Sequence, residues 1–422
     1  MLDRNTIPKF YPPEYKSFTP PVNSQLNNGI QVSSFNSGDQ EVFKIELIFP
    51  VDNKPDLNPA IPSLCLDMLR EGSKMKTAKE INNTLDYYGA FLNFHAGIDS
   101  IIITLFGRTV FIKYLIPLLA EILSEPVFDE KAIDKHKLRT AQKLLINEEK
   151  TSYWAPRLLR KSIFGRTHAY SQFLSSAGIN GITRAELIEY HQKSLAPRLH
   201  NIIVAGSYDD NKFTRLLQDS FKNFRPDHKV NEQTNPNSSS SIAETKKLGN
   251  TSQASIALGK LTIDNKQPEY ATYAFLTKVL GGYFGSRLMK KLREEEGLTY
   301  GIHAYNTHLR GGSYFQISAD VELKSVDRSI EMILDEINIL KQQEVGIHEI
   351  DTVKNYMIGE FVNDSNTVFD FAELHKKLLL QSLPDDYYQV FYRNISDTEA
   401  EVLKSMANEL LAEEQLSIIK VV

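Results

Sequence analysis

The sequence predicts an α+β protein made of two similar domains in tandem, each a mainly antiparallel sheet covered by helices. Three observations favour this fold class. At 422 residues, the chain is too long for one ordinary hydrophobic core. A polar segment near the midpoint indicates a linker at 225–247, which separates a first domain at 1–224 from a second at 248–422. Each half also ends in the same way, with a helix and then an apolar strand.

The closing segments Ile182–Gly206 and Ile395–Val422 carry this shared ending. Each opens with a hydroxyl residue followed three positions later by glutamate, a capping-box pattern that satisfies free N–H groups at a helix start. The two pairs are Thr183 with Glu186 and Ser396 with Glu399. The repetition predicts two domains of one plan.

Upstream of each ending, a Leu-Arg-Glu stretch precedes a strand pair and a long amphipathic helix. The two stretches lie in Leu64–Thr77 and Ser286–Thr299. We predict strands at Phe91–His95, Ser100–Arg108, Leu298–Asn306 and Ser313–Glu322, and helices at Phe111–Leu123 and Val326–Leu340. Apolar and polar residues alternate along Ser313–Glu322, so we expect one face to pack and the other to meet water or a ligand.

Composition excludes several classes of function. The net charge of -5 gives no broad electrostatic reason to expect nucleic acid or an anionic membrane as a partner. The single cysteine, Cys65, excludes an intramolecular disulfide and a cysteine-based metal site within one chain. We expect no membrane insertion, because no run of about 18 apolar residues occurs. The start of the chain lacks a secretory signal, which predicts a cytoplasmic protein, or a periplasmic one if a signal peptide has been removed.

The segment Gly281–Tyr305 combines a Gly-rich turn, Ser-Arg-Leu, Leu-Arg and Gly-Leu-x-Tyr. It resembles the C-terminal signature of the insulinase/pitrilysin-type zinc metallopeptidases, in the branch of the mitochondrial processing peptidase. The resemblance implies that Arg293 and Tyr300 reach a zinc site on another domain or subunit and bind the carbonyl oxygen of the scissile peptide. The local sequence agrees, because Arg293 lies in the last turn of a predicted helix and Gly297 can adopt the left-handed conformation before the next strand.

Two simpler readings of this segment remain. Arg293 could pair with the neighbouring Glu294–Glu296, and Tyr300 could be an ordinary strand aromatic. The glycines of the turn could also suggest a phosphate loop, but no Lys-Ser or Lys-Thr follows them. A turn that packs closely against a neighbouring backbone is the better interpretation of these glycines.

The first half departs from the family at its zinc motif. Active members carry His-x-x-Glu-His on the first long helix, and the matching stretch here is Ile61–Ser73. Ser63 stands at the first histidine position, Leu66 at the catalytic glutamate and Asp67 at the second histidine. A catalytic zinc site needs about three N, S or O ligands and a base that activates bound water. We therefore predict that this chain binds no zinc or other cofactor.

Two further positions follow from the resemblance. The third zinc ligand, a glutamate, is expected within Arg139–Glu149, where Gln142, Lys143 and Leu144 lie near its register and Glu148 and Glu149 come late. The strand Phe91–His95 corresponds to a substrate-binding edge strand, and Asn93 is its predicted substrate-binding residue. His95 is expected to be a surface or packed histidine rather than a ligand.

These features predict a subunit that is inactive alone and works with a zinc-bearing partner. The partner would be a homologous chain with His-x-x-Glu-His, which supplies zinc, water and general base, while this chain supplies Arg293 and Tyr300 for cleavage of unfolded peptides. The alternative is a catalytically inactive scaffold or peptide-binding core protein. In isolation, the chain could also form a homodimer.

Overall fold

Each half of the chain forms one sheet. The computed structural model describes residues 9, 11–17, 19–227, 241–249 and 251–422. The strands of the first half are β1 Val22–Gln25, β2 Gln31–Asn36, β3 Val42–Pro50, β4 Phe91–Ala96, β5 Ser100–Arg108 and β6 Asn201–Gly206. Those of the second are β7 Ala243–Lys246, β8 Gln253–Thr262, β9 Thr299–Leu309, β10 Gly312–Glu322 and β11 Ser417–Val421.

The two sheets share one topology over five strands, with β1 as an additional strand of the first sheet, which confirms the predicted tandem repeat. The strand orders are β1-β2-β6-β3-β5-β4 and β7-β11-β8-β10-β9. The last strand of each half pairs in parallel with an early one, β6 with β2 and β11 with β7. All other pairs are antiparallel. The edge strands β4 and β9 therefore occupy equivalent places.

Helices connect and cover the strands. In the first half they are α1 Ile61–Arg70, α2 Ala78–Tyr87, α3 Ile112–Ser124, α4 Glu130–Glu148, α5 Thr151–Phe164, α6 Ser176–Gly181, α7 Arg184–Tyr190 and α8 Asp210–Phe221. In the second they are α9 Tyr270–Gly281, α10 Val326–Gln342, α11 Ile347–Asn363, α12 Val368–Gln381, α13 Tyr387–Ser396 and α14 Ala400–Leu410. Two π-helices lie at His191–Leu195 and Met289–Glu295. Within the described residues, no helix has the length and apolarity needed to cross a bilayer.

The two halves exchange one helix each. Helix α5 of the first half packs its apolar face on β8, β10 and β11 of the second sheet. Helix α12 of the second half packs on β2 and β6 of the first sheet, where the buried Ala372 meets Phe35 and Ile203. Each sheet is thus covered on one face by its own helices and on the other by a helix from the opposite half, a pairing that holds the halves together.

A polar contact supports this exchange. The turn between β9 and β10 approaches the turn between β4 and β5, where the backbone N–H of Arg310 donates to Asp99 Oδ2 at 2.7 Å. The hydroxyl of Tyr170 donates to Asp99 Oδ1 at 2.8 Å and accepts from the N–H of Gly311 at 2.9 Å. These bonds join the hairpins of the two sheets.

The alternation of apolar and polar residues along β10 predicts one buried and one exposed face. The buried face is confirmed, and the other face is exposed only in part. The residues Phe315, Ile317, Ala319 and Val321 are all buried in the core of the second half. On the opposite face Asp320 and Glu322 are exposed, as expected. Tyr314 and Gln316 are instead buried, because the first half covers this part of the sheet through α5, a contact that the strand pattern alone does not reveal.

One of the two predicted capping boxes forms. The N–H of Glu186 donates to Thr183 Oγ1 at 3.2 Å, and the N–H of Thr183 donates to Glu186 Oε2 at 2.7 Å. The prediction for Ser396 and Glu399 is wrong. Ser396 ends α13, where its hydroxyl donates to the carbonyl of Tyr392 at 3.0 Å, and Glu399 occupies the N-cap position of α14 without a side-chain cap.

Two details of the predicted organisation also change. The Leu-Arg-Glu stretches do not mark equivalent elements, because α1 is followed by α2 before β4, whereas Met289–Glu295 leads directly to β9. Within the predicted linker, Ala243–Lys246 is a strand of the second sheet. The prediction that Asn231–Ser241 is mobile and protease-sensitive falls, apart from Ser241, outside the described residues.

Candidate functional site

Helix α1 carries the three residues predicted at the positions of the zinc motif and buries one of them in the core. Pro62 in its first turn starts the helix, and its apolar face packs into the core of the first half. Leu66 is only 3% exposed. Ser63 is half-buried, and its hydroxyl donates to the carbonyl of Ala60 at 3.2 Å. Neither side chain offers a metal-binding group directed away from the helix.

Asp67 takes part in a polar cluster that ties α1 to α4. Its Oδ2 lies 3.4 Å from Nδ1 of His136, whose Nε2 lies 2.7 Å from Oε1 of Glu71. Burial raises the pKa of the Asp67 carboxyl, while His136 and Arg70 act in the opposite direction. Burial would also raise the pKa of Glu71, but bonds from His136 and Lys135 hold it below its usual value. Polar contacts thus connect α1 and α4 at the predicted motif position of Asp67.

The region predicted for the third ligand offers no replacement. Leu144 on α4 is buried in the core, and Gln142 and Lys143 are exposed. Glu149 lies just beyond the end of the helix. Throughout the part of the chain that the structure describes, no group of three or more His, Cys, Asp or Glu side chains could hold a metal ion. The residues at the motif positions therefore do not fit zinc.

Asn93 lies on β4, one of the two edge strands of the first sheet. Its side chain is exposed and borders a cleft of about 230 Å³ that also contains Arg70 and Asp86. The guanidinium of Arg70 lies 5.0 Å from the ring centre of Phe94 and donates to the carbonyl of Leu92. His95, two residues further along the strand, is exposed. An edge strand with unpaired N–H and C=O groups can add an extended peptide.

Arg293 and Tyr300 lie at a tight helix–strand corner. Arg293 is in the last turn of the π-helix Met289–Glu295, which ends as Gly297 adopts a positive φ of 64°. The N–H of Leu298 then donates to the carbonyl of Leu292 at 2.8 Å, which turns the chain into β9. Only glycine adopts this backbone conformation readily, so the sequence determines the corner. The predicted local geometry is confirmed.

The glycines ahead of this corner serve close packing, as expected. A methyl group built on Gly281 would lie 2.7 Å from Cβ of Ala304, and one on Gly282 would lie 2.7 Å from Cα of Lys278. Both distances are too short for real side chains. The turn therefore brings α9 into direct contact with β9.

Arg293 makes no salt bridge among the described residues. The carboxylates beside it have other partners, Glu295 with Lys291 at 2.9 Å and Glu296 with Arg328 at 3.5 Å. The guanidinium of Arg293 instead lies 4.6 Å from the ring centre of Phe284, whose side chain is 61% exposed. The simpler reading, in which Arg293 pairs with its neighbouring glutamates, does not describe this structure.

Tyr300 is 92% exposed, the highest exposure of the large hydrophobic side chains in the described residues. It borders a cavity of about 610 Å³ on the face of the second sheet that α5 covers in part. Other lining residues are Ser255, His303 and Asp320. Arg293 does not line this cavity, nor do Asn93 and the three positions on α1. The structure thus places the predicted site residues in three separate regions of one chain.

The lining of this cavity was not predicted residue by residue. Its polar members on β10 are Gln316, Ser318 and Asp320, which belong to the face expected to meet water or a ligand. The alternating pattern therefore contained a signal for the cavity. It could not show that α5 closes one side of it, because that helix comes from the other half.

The sequence of the chain is similar to that of known M16 proteins. Residues 181–357 match the family model described as the peptidase M16 inactive domain. A relative from Helicobacter pylori, named non-peptidase homolog YmxG, is 23% identical over 337 residues, covering 79% of this chain and 78% of its own.

Solved structures agree on the fold. A peptidase M16 inactive domain from Pseudomonas fluorescens superposes with a TM-score of 0.87 at 22% identity, over 95% of this chain and 98% of that one. A chain of Complex III2 from Candida albicans superposes with a TM-score of 0.76 at 15% identity, over 95% of each chain. These comparisons show that residues 181–357 are similar to the M16 inactive domain and that the whole chain has the fold of solved M16 proteins, the insulinase/pitrilysin type that its sequence resembles.

Proposed function

We propose that this chain is the zinc-free subunit of a heteromeric M16 peptidase that cleaves unfolded peptides. The proposal depends on the exposure of Tyr300. A tyrosine that is 92% exposed gains almost nothing from burial, so folding stability does not account for it. Arg293 likewise has no carboxylate partner among the described residues. Both groups are free to meet a ligand that comes from outside the chain.

The two side chains suit an oxyanion. A guanidinium donates charge-assisted hydrogen bonds in a planar fork, and a phenol hydroxyl donates one more. Donors directed at a developing oxyanion contribute about 2.7–4 kcal/mol each in comparable sites. Such donors stabilise a transition state only where a nucleophile is also present. The residues of α1 supply none, so the nucleophile belongs to the partner.

The partner is a homologous chain with an intact His-x-x-Glu-His motif. It would provide zinc, the activated water and the general base, while this chain provides Arg293, Tyr300 and half of an enclosed chamber. We propose Asn93 on the edge strand β4 of the first sheet as a further contact for the extended peptide. The isolated chain would be inactive.

Reconstitution tests this proposal. Each subunit is purified alone, its zinc content is measured after dialysis against a weak chelator, and cleavage of an unfolded peptide is followed for each subunit and for the mixture. We expect well under one equivalent of zinc in this chain, and cleavage only in the mixture. Stoichiometric zinc linked to activity in this chain, or full activity of the partner alone, would contradict the proposal.

A scaffold without catalytic function is the second candidate. It is favoured by the match to a chain of Complex III2, which superposes over 95% of both chains. The two candidates differ at Arg293 and Tyr300, which a scaffold has no need to expose. A stable complex that contains this chain and cleaves no peptide would favour the scaffold.

A further inference from the structure

One end of the first sheet carries an exposed aromatic surface. It lies where β3 and β4 begin and β5 ends, beside the last residues of α2, the first turn of α3 and the turn before it. The exposed fractions are 80% for Tyr87, 55% for Val110 and 47% for Tyr114. A group of large apolar side chains left exposed in this way is typical of a surface that contacts another molecule.

Ring contacts hold this surface together. The ring of Tyr88 stacks on that of Tyr114, with centres 5.2 Å apart and 3° between the ring planes. Its centre also lies 4.8 Å from that of Phe111 and 5.0 Å from that of Tyr87. Because Tyr88 and Phe111 are half-buried, they support the exposed rings, which then lose little conformational entropy when a partner binds. The aromatic patch consists of Tyr87, Tyr88, Val110, Phe111 and Tyr114.

Four charged side chains border the aromatic patch, two of each sign. The bases are Arg108 and Lys113, whose charged groups lie 5.8 Å and 4.9 Å from ring centres of the patch. The acids are Asp86, in the last turn of α2, and Glu41, which directly precedes the β3 residue paired with Arg108. All four side chains are exposed, and none forms an ion pair with another residue that the structure describes. The border of the patch therefore has no net charge.

This charge pattern favours a second copy of the chain as the partner. In a two-fold dimer the same surface faces itself, so each acid can meet a base of the other copy. A strongly acidic or basic protein, or an anionic bilayer, would gain from one pair of charges and be repelled by the other. Tyrosine rings at the centre and charges at the rim are the usual arrangement of a protein–protein interface.

We propose that two copies of this chain associate through the aromatic patch, with Tyr87 and Tyr114 at the centre of a two-fold interface. The patch residues line neither the cavity beside Tyr300 nor the cleft beside Asn93. They lie on the first half, whereas Arg293 and Tyr300 lie on the second. The association is thus separate from the proposed function.

The mass of the full-length chain in solution tests the inference. Sedimentation equilibrium over a range of protein concentrations should show a monomer–dimer equilibrium. Tyr87→Ser should raise the dissociation constant about tenfold or more, because aromatic side chains at the centre of an interface contribute most of its affinity. Ile347→Ser is the matched control, since Ile347 is 79% exposed on α11 of the second half, and it should leave the dissociation constant unchanged.

Charge reversal tests the two-fold arrangement and separates it from misfolding. Glu41→Lys with Asp86→Lys makes the whole border positive, and Arg108→Glu with Lys113→Glu makes it negative. Each double variant alone should be monomeric, because like charges then face each other. An equimolar mixture of the two should form a dimer again, which only folded variants with complementary surfaces can do.

A wild-type protein that is still monomeric at about 100 μM would overturn the inference, whether the patch then binds anionic phospholipid vesicles or the zinc-bearing partner. So would a dimer that persists unchanged in Tyr87→Ser, or a mixture of the charge-reversed variants that stays monomeric. Each outcome is a measured mass and depends on neither zinc nor cleavage. The test is therefore distinct from the reconstitution experiment.

Discussion

Helix α1 buries the side chain at one of its predicted site positions, whereas the corner that carries Arg293 and Tyr300 exposes its site residues. On α1, Leu66, at the position predicted for the catalytic glutamate, is 3% exposed, and the helix is held by core packing and by the cluster around His136. At the corner, Tyr300 is 92% exposed and adds almost nothing to the core. The difference shows that the residues of the first region contribute to stability, whereas the second region exposes groups whose presence stability does not explain.

Replacing Leu66 with glutamate tests whether α1 depends on an apolar residue in the core. Among the stability variants, it should have the largest effect on the free energy of unfolding. Leu66→Glu places an unpaired carboxylate in the core, so we expect a loss of about 3–5 kcal/mol in the free energy of unfolding. Leu66→Met, which conserves volume, should lose less than about 1.5 kcal/mol. Urea unfolding measures both. If Leu66→Glu costs under 1 kcal/mol, α1 can still accept an acid and the contrast is weaker than we describe.

His308 lies on β9, the strand that exposes Tyr300, but burial at the far end of the strand changes the pKa of its side chain. Nε2 of His308 lies 2.7 Å from the Tyr270 hydroxyl, and Nδ1 lies 2.8 Å from Ser313 Oγ. Burial lowers the pKa of His308 to about 4. The unfolded state therefore takes up a proton near pH 6.5 while the folded state stays neutral until about pH 4, so stability falls as the pH drops through this window.

We expect His308 to account for up to about 3 kcal/mol of this loss, since one pKa unit corresponds to about 1.4 kcal/mol. His191 and His375, whose pKa values are also lowered by burial, add to the wild-type dependence. The measurement is therefore a difference, the free energy of unfolding at pH 7 and pH 4.5 for the wild-type protein and for His308→Gln. His303→Gln, exposed on the same strand, is the matched control. An unchanged pH dependence in His308→Gln would show that His308 is not buried as described.

Removing one hydroxyl from two tyrosines should give the smallest effect and the sharpest contrast. Tyr300→Phe should change the free energy of unfolding by less than about 0.5 kcal/mol, because the hydroxyl is exposed. Tyr170→Phe removes bonds to Asp99 and Gly311 in a residue that is 3% exposed, and should cost about 1–3 kcal/mol. Equal losses in the two variants would mean that Tyr300 has a structural role.

A feature of the fold could be predicted from the sequence when residues close together in the chain determine it. The corner was predictable because Gly297 and the helix before it determine its geometry within a few residues. The repeat was predictable from the polar midpoint and the similar endings. The exchange of α5 and α12 was not, because it depends on contacts between residues far apart in the chain, and the same contacts bury Gln316.

The residues of the candidate site stay a prediction from the motif, and the structure adds surroundings that the motif did not show. The motif predicts Arg293 and Tyr300 as site residues, yet it did not show that Phe284 rather than a glutamate lies against the guanidinium. It also gave no sign of His136, because the cluster with Asp67 and Glu71 joins two helices that are distant in sequence. A short motif shows which side chains are present, whereas tertiary packing determines which residues each side chain contacts.

The most direct test of the central claim is the turnover number of the pair reconstituted with a zinc-bearing partner, measured for Arg293→Ala and Tyr300→Phe. Arg328→Ala serves as the control, since this arginine lies near the same corner but pairs with Glu296. We predict losses of about ten- to a thousandfold in turnover for the first two variants, little change in peptide affinity, unaltered assembly and a control at the unmodified rate. Cleavage at the unmodified rate by both Arg293→Ala and Tyr300→Phe would contradict the account and leave the scaffold as the function of this chain.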